Sequence, residues 1–140
     1  MRKLILLLTL LASPALSENY SQQVDCLARN IYFESRGEPI DGQYAVAFVT
    51  LNRVEDERWP DSICEVVYQP SQFSWTVNPD RPIREQDSWQ AATTVARDAI
   101  VQYYEFGEDI TDGAVFFNKG PRQAYHEEHK VSIGQHNFYS

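Results

Sequence analysis

Apolar residues recur at helical spacing over Val24, Leu27, Ala28, Ile31 and Tyr32, and Gly37 and Pro39 interrupt the pattern. This predicts an amphipathic helix that stops near residue 36. A second helical pattern starts near Pro39–Ile40–Asp41 and runs through Tyr44, Ala45, Phe48, Val49 and Leu51 to about Asp56. Pro39 is tolerated in its first turn, and Trp59–Pro60 breaks it. A third helix is expected from a cap at Asp87/Ser88, carrying Trp89, Ala92, Val95, Ala96, Ala99, Ile100 and Tyr103. Residues 70 to 87 hold Pro70, Pro79, Pro82 and many polar groups, which predicts a long loop of the kind that tends to carry function. Ala114–Val115–Phe116–Phe117 and Asn137–Phe138–Tyr139 read as strands, with the partner between them open. Helices first and short strands last make the expected class α+β, with a small antiparallel sheet toward the C-terminus.

Residues 1–17 read as a signal peptide. Arg2 and Lys3 form a basic head, Leu4 to Ala12 an apolar stretch too short to span a bilayer, and Ser13–Pro14–Ala15–Leu16–Ser17 offers small residues for cleavage after Ser17, with Ala15 as the second choice. An exported domain over residues 18–140, in the periplasm or at the cell wall, is therefore expected, with no stable membrane span and as a monomer. Export changes how Cys26 and Cys64, the only two cysteines, are read. In an oxidising compartment such a pair predicts a disulfide, not a reactive site.

The formal charge is −8, and losing residues 1–17 removes two basic residues and no acidic ones, which takes it to −10. That excludes nucleic acid or an anionic membrane surface as the favoured partner. An aromatic content of 13 % with three Trp and eight Tyr suits a carbohydrate cleft as well as a core.

The candidate chemistry centres on Glu34. It closes the first helix just inside the Gly37 stop and follows Tyr32 and Phe33. A carboxyl group at the floor of an aromatic-walled cleft has its pKa raised by desolvation, as a glycosidase general acid requires. The competing reading is a surface Glu paired with Arg29 or Arg36.

The run Leu27 to Gln43, LARNIYFESRGEPIDGQ, resembles the signature of the cell-wall hydrolase family typified by the spore-cortex-lytic enzyme SleB. The resemblance continues through Ala45–Val46–Ala47 and Leu51–Asn52–Arg53–Val54. It resumes at Val66–Val67–Tyr68–Gln69–Pro70 and Gln72–Phe73–Ser74–Trp75, and ends at Ile133–Gly134–Gln135–His136–Asn137–Phe138–Tyr139. It implies a lysozyme/transglycosylase-like domain whose N-terminal helices surround the active-site cleft. It also implies peptidoglycan glycan strands as substrate, with Glu34 as the single catalytic acid and base. The product is that of a lytic transglycosylase or a muramidase, and no cofactor is implied.

Around Glu34, Ser35 is expected to bond a backbone group at the helix end, Glu38 and Asp41 to supply further carboxylates, and Arg36 to pair with one of those two or contact substrate. In the loop, Gln69, Gln72, Phe73, Ser74 and Trp75 fall where the family's cleft is flanked, although Phe73 and Trp75 read equally well as core. Asn118, after Phe116–Phe117, is a further candidate for the cleft wall. Two other functions stay open: a non-catalytic peptidoglycan-binding protein that keeps the fold, and a zinc amidase built on His126, His129 and His136. The His-Glu-Glu-His order of residues 126–129 is not the His-Glu-x-x-His arrangement of a helical zinc site. No metal is therefore expected, and His136 is read as structural or as support for the site.

Overall fold

The computed structural model describes residues 14–124 and 128–140, with side chains described from residue 19 onward within the first helix. Helix α1 spans Pro14–Ser35, α2 Ile40–Val54, α3 Ile63–Val67 and α4 Gln86–Phe106. A 3-10 turn covers Ser74–Val77, and the strands are β1 (Phe116–Lys119), β2 (His129–Ile133) and β3 (His136–Tyr139). The α+β class is as expected. Most of the leader lies outside the described residues, and α1 already includes the expected cleavage point at Ser17.

Helix α2 is the centre of the molecule. Its buried positions run almost unbroken from Ala45 to Leu51, because helices cover one side of it and the sheet covers the other. Leu27, Ala28, Ile31 and Tyr32 of α1 join Ala47, Phe48 and Leu51 of α2 and Ala92, Val95, Ala96 and Ala99 of α4 in the larger core. Ala45, Val46 and Val49 face Ala114 and Phe138 in a smaller one. A helix apolar on both sides needs partners on both sides.

The helix ends follow local chemistry except in one case. Gly37 takes φ +82°, a conformation open to glycine at little cost, and the chain turns there from α1 toward Pro39 and α2. Ser62 caps α3 by accepting a hydrogen bond from the Glu65 backbone N–H at 3.3 Å. Helix α4 starts after Glu85, not at the Asp87/Ser88 cap, and without a side-chain cap of its own. A tertiary contact sets its position: the Tyr32 hydroxyl accepts hydrogen bonds from the backbone N–H groups of Arg84 and Glu85 at 3.2 and 3.1 Å.

The sheet is antiparallel in the order β1-β3-β2. Its central strand, β3, is buried throughout. The partner left open by the sequence is β2, which bulges between His129 and Val131. The first strand begins two residues later than expected, at Phe116, while Ala114 and Val115 are fixed to α2 by side chains. Asn52 donates to the Ala114 carbonyl at 2.9 Å and Arg53 Nε to the Val115 carbonyl at 2.7 Å.

Cys26 of α1 and Cys64 of α3 form a disulfide with a Cα–Cα distance of 5.2 Å. On a chain-entropy model, closing a loop across a separation of 38 residues stabilises the fold by about 4 kcal/mol. The bond and a hydrogen bond from the Cys64 backbone N–H to Gln23 Oε1, 2.9 Å long, hold α3 against α1 and fix the start of the loop that follows.

Candidate functional site

A cleft of about 590 Å³ opens where the end of α1, the loop around the 3-10 turn, α2 and the sheet meet. Phe33 and Glu34 enter it from α1, Arg53 from α2, and Ser71, Gln72, Phe73, Ser74 and Val77 from the loop. Phe117, Asn118, Lys119 and His136 come from the sheet. Glu34 is the one carboxylate among these lining residues. Burial holds its carboxyl above the usual glutamate range, and the positive charge of Arg53 pulls in the opposite direction. Desolvation outweighs the attraction, which favours a protonated acid.

Arg53 was missed as a site residue, since an Arg near a helix end ordinarily reads as a solvated charge. Here it is 5 % exposed. Burial lowers its pKa to about 10, and Glu34 opposes that change. Its guanidinium carbon lies 5.4 Å from the ring centres of both Trp59 and Phe73. Besides the bond to Val115, its Nη1 donates to Gln72 Oε1 at 3.3 Å. One side chain therefore ties the loop, α2 and the approach to β1 together beside Glu34.

His136 reaches the acid from the other side. Its ring lies beside the Glu34 backbone carbonyl, which favours the charged imidazole and sets the last turn of α1 next to β3. Burial lowers its pKa, with Lys119 acting in the same direction and Glu38 and the Glu34 carbonyl against it. Its Nδ1 lies 3.4 Å from Glu38 Oε1 without hydrogen-bond geometry, so that contact is electrostatic only. His129 sits at the other end of the β2–β3 pair, opposite Tyr139, whereas His136 is opposite Ile133. The register thus separates two members of the histidine trio, and His126 lies outside the described residues.

The expected supporting residues divide into two groups. Gln72, Phe73, Ser74 and Asn118 line the cleft. Phe73 does so while nearly buried and packed on Phe117 at 6.1 Å between ring centres. Asn118 is held by both ends of its amide, donating to the Pro121 carbonyl at 2.8 Å and accepting from the Tyr139 hydroxyl at 2.6 Å.

Ser35, Arg36, Glu38, Gln69 and Trp75 are not among the lining residues. Ser35 is buried and donates to the Ile31 carbonyl at 2.8 Å, the backbone bond expected of it. Arg36 turns away to pair with Glu85 at 2.9 Å. Glu38 accepts from the Gln135 backbone N–H at 3.2 Å, which fastens the β2–β3 turn to the α1–α2 junction. The Oε1 atom of Gln69 is buried with no hydrogen-bond partner. Trp75 is core: its indole N–H donates to Asn30 Oδ1 at 2.9 Å, and it stacks on Phe33 at 4.8 Å. Trp75 therefore acts on the cleft through Phe33, which it backs.

The chain matches the model of the Cell Wall Hydrolase family over residues 37–139, a match that begins three residues after Glu34. Among curated relatives, the spore cortex-lytic enzyme of Oceanobacillus iheyensis is 29% identical over 102 residues, covering 72% of this chain and 34% of that protein. The Bacillus subtilis spore cortex-lytic enzyme is 26% identical over 98 residues, covering 70% of this chain and 30% of that one. The chain thus spans about a third of the length of these relatives. Among solved structures, the catalytic domain of Bacillus cereus SleB aligns with a TM-score of 0.70 at 27% identity, over 86% of this chain and 91% of that one. The catalytic domain of the germination-specific lytic transglycosylase SleB from Bacillus anthracis aligns at 0.68 and 28% identity, over 84% and 93%. The chain belongs to the cell wall hydrolase family.

Proposed function

We propose that the protein cleaves glycosidic bonds in the glycan strands of peptidoglycan, with Glu34 as general acid and then general base. The observation that carries this reading is a lone carboxyl group in a glycan-sized cleft, held above its ordinary pKa by burial. The Glu34 carboxyl gives its proton to the glycosidic oxygen as the C–O bond to the sugar breaks. The resulting carboxylate takes a proton from the hydroxyl that attacks the sugar cation, restoring the acid.

With no second carboxylate among the described lining residues to serve as nucleophile, the favoured attacking group is the sugar's own primary hydroxyl. That gives the anhydro product of a lytic transglycosylase. Phe33 offers apolar ring surface to a sugar, with Phe73 packed behind the wall, while Gln72, Ser74 and Asn118 offer hydrogen-bonding groups for its substituents. The substrate class places the protein outside the cytoplasm, in keeping with the disulfide and the leader-like N-terminus.

Mass spectrometry of peptidoglycan digests tests the proposal. Anhydro-muramoyl ends are expected, reducing ends would indicate hydrolysis, and no cleavage would leave only a binding protein. Glu34→Gln should lower turnover by about 10² to 10⁴-fold while glycan binding persists. A Gln variant that still cuts at the normal rate would remove Glu34 from the chemistry.

A further inference from the structure

Phe33 lines a second cavity as well, of about 400 Å³, which extends away from Glu34 over Tyr32 and the start of α4. In a chain with eight more acidic than basic residues, the charged side chains around this cavity are three arginines, Arg36, Arg81 and Arg84, and one acid, Glu85. Arg36 is neutralised by Glu85 at 2.9 Å and lies over the Tyr32 ring at 4.6 Å. Arg81 lies over Phe33 at 5.2 Å. Neither Arg81 nor Arg84 makes an ion pair among the described residues. The segment that carries them is held in place, because the Tyr32 hydroxyl binds the backbone N–H groups of Arg84 and Glu85. Tyr32 stands two residues before Glu34, so one helix turn sets both the acid and the basic cavity.

We propose that this cavity is a subsite for the carboxylate groups of the peptides that peptidoglycan glycan strands carry. It would hold a peptide-bearing sugar on the far side of Phe33 while Glu34 acts on the bond in the adjoining cleft. The inference rests on the reading of that cleft as glycan-cleaving. A guanidinium recognises a carboxylate by paired, charge-assisted hydrogen bonds, and two arginines with no ion-pair partner supply that chemistry where the overall charge of the chain does not. Phosphodiester groups of other wall polymers would be bound by the same chemistry, and the substrates below separate the two.

Strands freed of phosphodiester-linked polymers are prepared with their peptides intact and, in parallel, with the peptides removed by an amidase. The ratio of kcat/KM on the two forms is measured for the wild type, Arg81→Gln/Arg84→Gln and Arg81→Lys/Arg84→Lys. The wild type should favour peptide-bearing strands, and the Gln pair should reduce that ratio about tenfold, the worth of roughly one charge-assisted hydrogen bond. The Lys pair should restore part of it, and added salt should shrink it. Both residues are exposed, so the variants are expected to fold, and circular dichroism checks this. Equal rates on both forms, or an unchanged ratio in the Gln pair, overturn the subsite and leave glycan cleavage standing. A preference that returns only with phosphodiester polymers attached overturns the carboxylate assignment. Failure of the wild type to cut either form overturns the reading of the cleft itself.

Discussion

Replacing Arg53 by Met separates the electrostatics of the cleft from its packing, because Met keeps an unbranched apolar stem and loses the guanidinium. The change deletes the 2.7 Å bond to the buried Val115 carbonyl, a charge-assisted contact worth about 1.5–3 kcal/mol. It also removes the contacts over Trp59 and Phe73, worth about 1 kcal/mol. Relief of a buried charge offsets part of the loss. The net destabilisation is about 2–3 kcal/mol, or roughly 10 °C in melting temperature for a domain of this size.

The catalytic consequence has a definite sign. Arg53 lowers the Glu34 pKa against the larger effect of burial, so its removal lets that pKa rise further. A general acid works while protonated, so the alkaline limb of the kcat profile should move to higher pH. A group whose folded pKa is raised contributes stability below its unfolded pKa and loses it as pH rises through the folded value. The stability gap between variant and wild type should therefore widen from acidic to neutral pH, as Glu34 charges without its counter-ion. Chemical denaturation across that range and a kcat–pH profile measure both effects. An alkaline limb that stays in place or moves down, with a stability gap flat in pH, would refute the coupling.

Three further expectations are independent of this one. Cys26→Ala/Cys64→Ala should lose about 4 kcal/mol and melt roughly 10–20 °C lower yet stay active at low temperature; a folded but inactive variant would mean that the bond shapes the site itself. At Gly134, φ is +58° and an added Cβ would meet Glu38 Oε2, with Pro39 Cδ at 2.9 Å. Gly134→Ala should therefore destabilise by about 2–3 kcal/mol, and a melting temperature equal to wild type would show that the contact between the β2–β3 turn and Glu38 is loose. Chelator treatment should leave turnover unchanged, and complete inhibition reversed by zinc would reopen a role for the histidines.

Legibility in the sequence followed the range of the interactions. The periodicity from Val24 to Tyr32 and the Gly37–Pro39 stop are local signals, and α1 and α2 end and begin where they point. The start of α4 is set by the Tyr32 hydroxyl from more than fifty residues away, so local capping chemistry points to Asp87/Ser88, past the observed cap at Glu85. Trp75 carries no mark in the chain to separate a sugar platform from a core residue. The deciding partner is Asn30, whose side-chain oxygen accepts a hydrogen bond from the indole N–H. Arg53 had one usable signal: with Asn52 it follows the run Ala45–Leu51, in which Thr50 is the one polar residue, and polar residues in such surroundings are buried with partners or not tolerated.

The same distinction explains why neighbours of Glu34 along the chain were poor guides to its neighbours in space. Ser35, Arg36 and Glu38 lie within four residues of the acid, yet the helix end and the glycine turn send them to the Ile31 carbonyl, to Glu85 and to the β2–β3 turn. What surrounds the carboxyl comes from α2, the Gln72–Ser74 loop and the sheet, through Arg53, Phe73, Phe117 and His136. A desolvated acid needs walls on several sides, and a single helix end exposes most of its last turn to water. The raised pKa of Glu34 is thus a property of the assembled fold. It should disappear wherever the sheet or the loop detaches, even with α1 intact, so local unfolding that frees β3 from the end of α1 should return the carboxyl toward the ordinary glutamate range and lower the pH up to which it can give a proton.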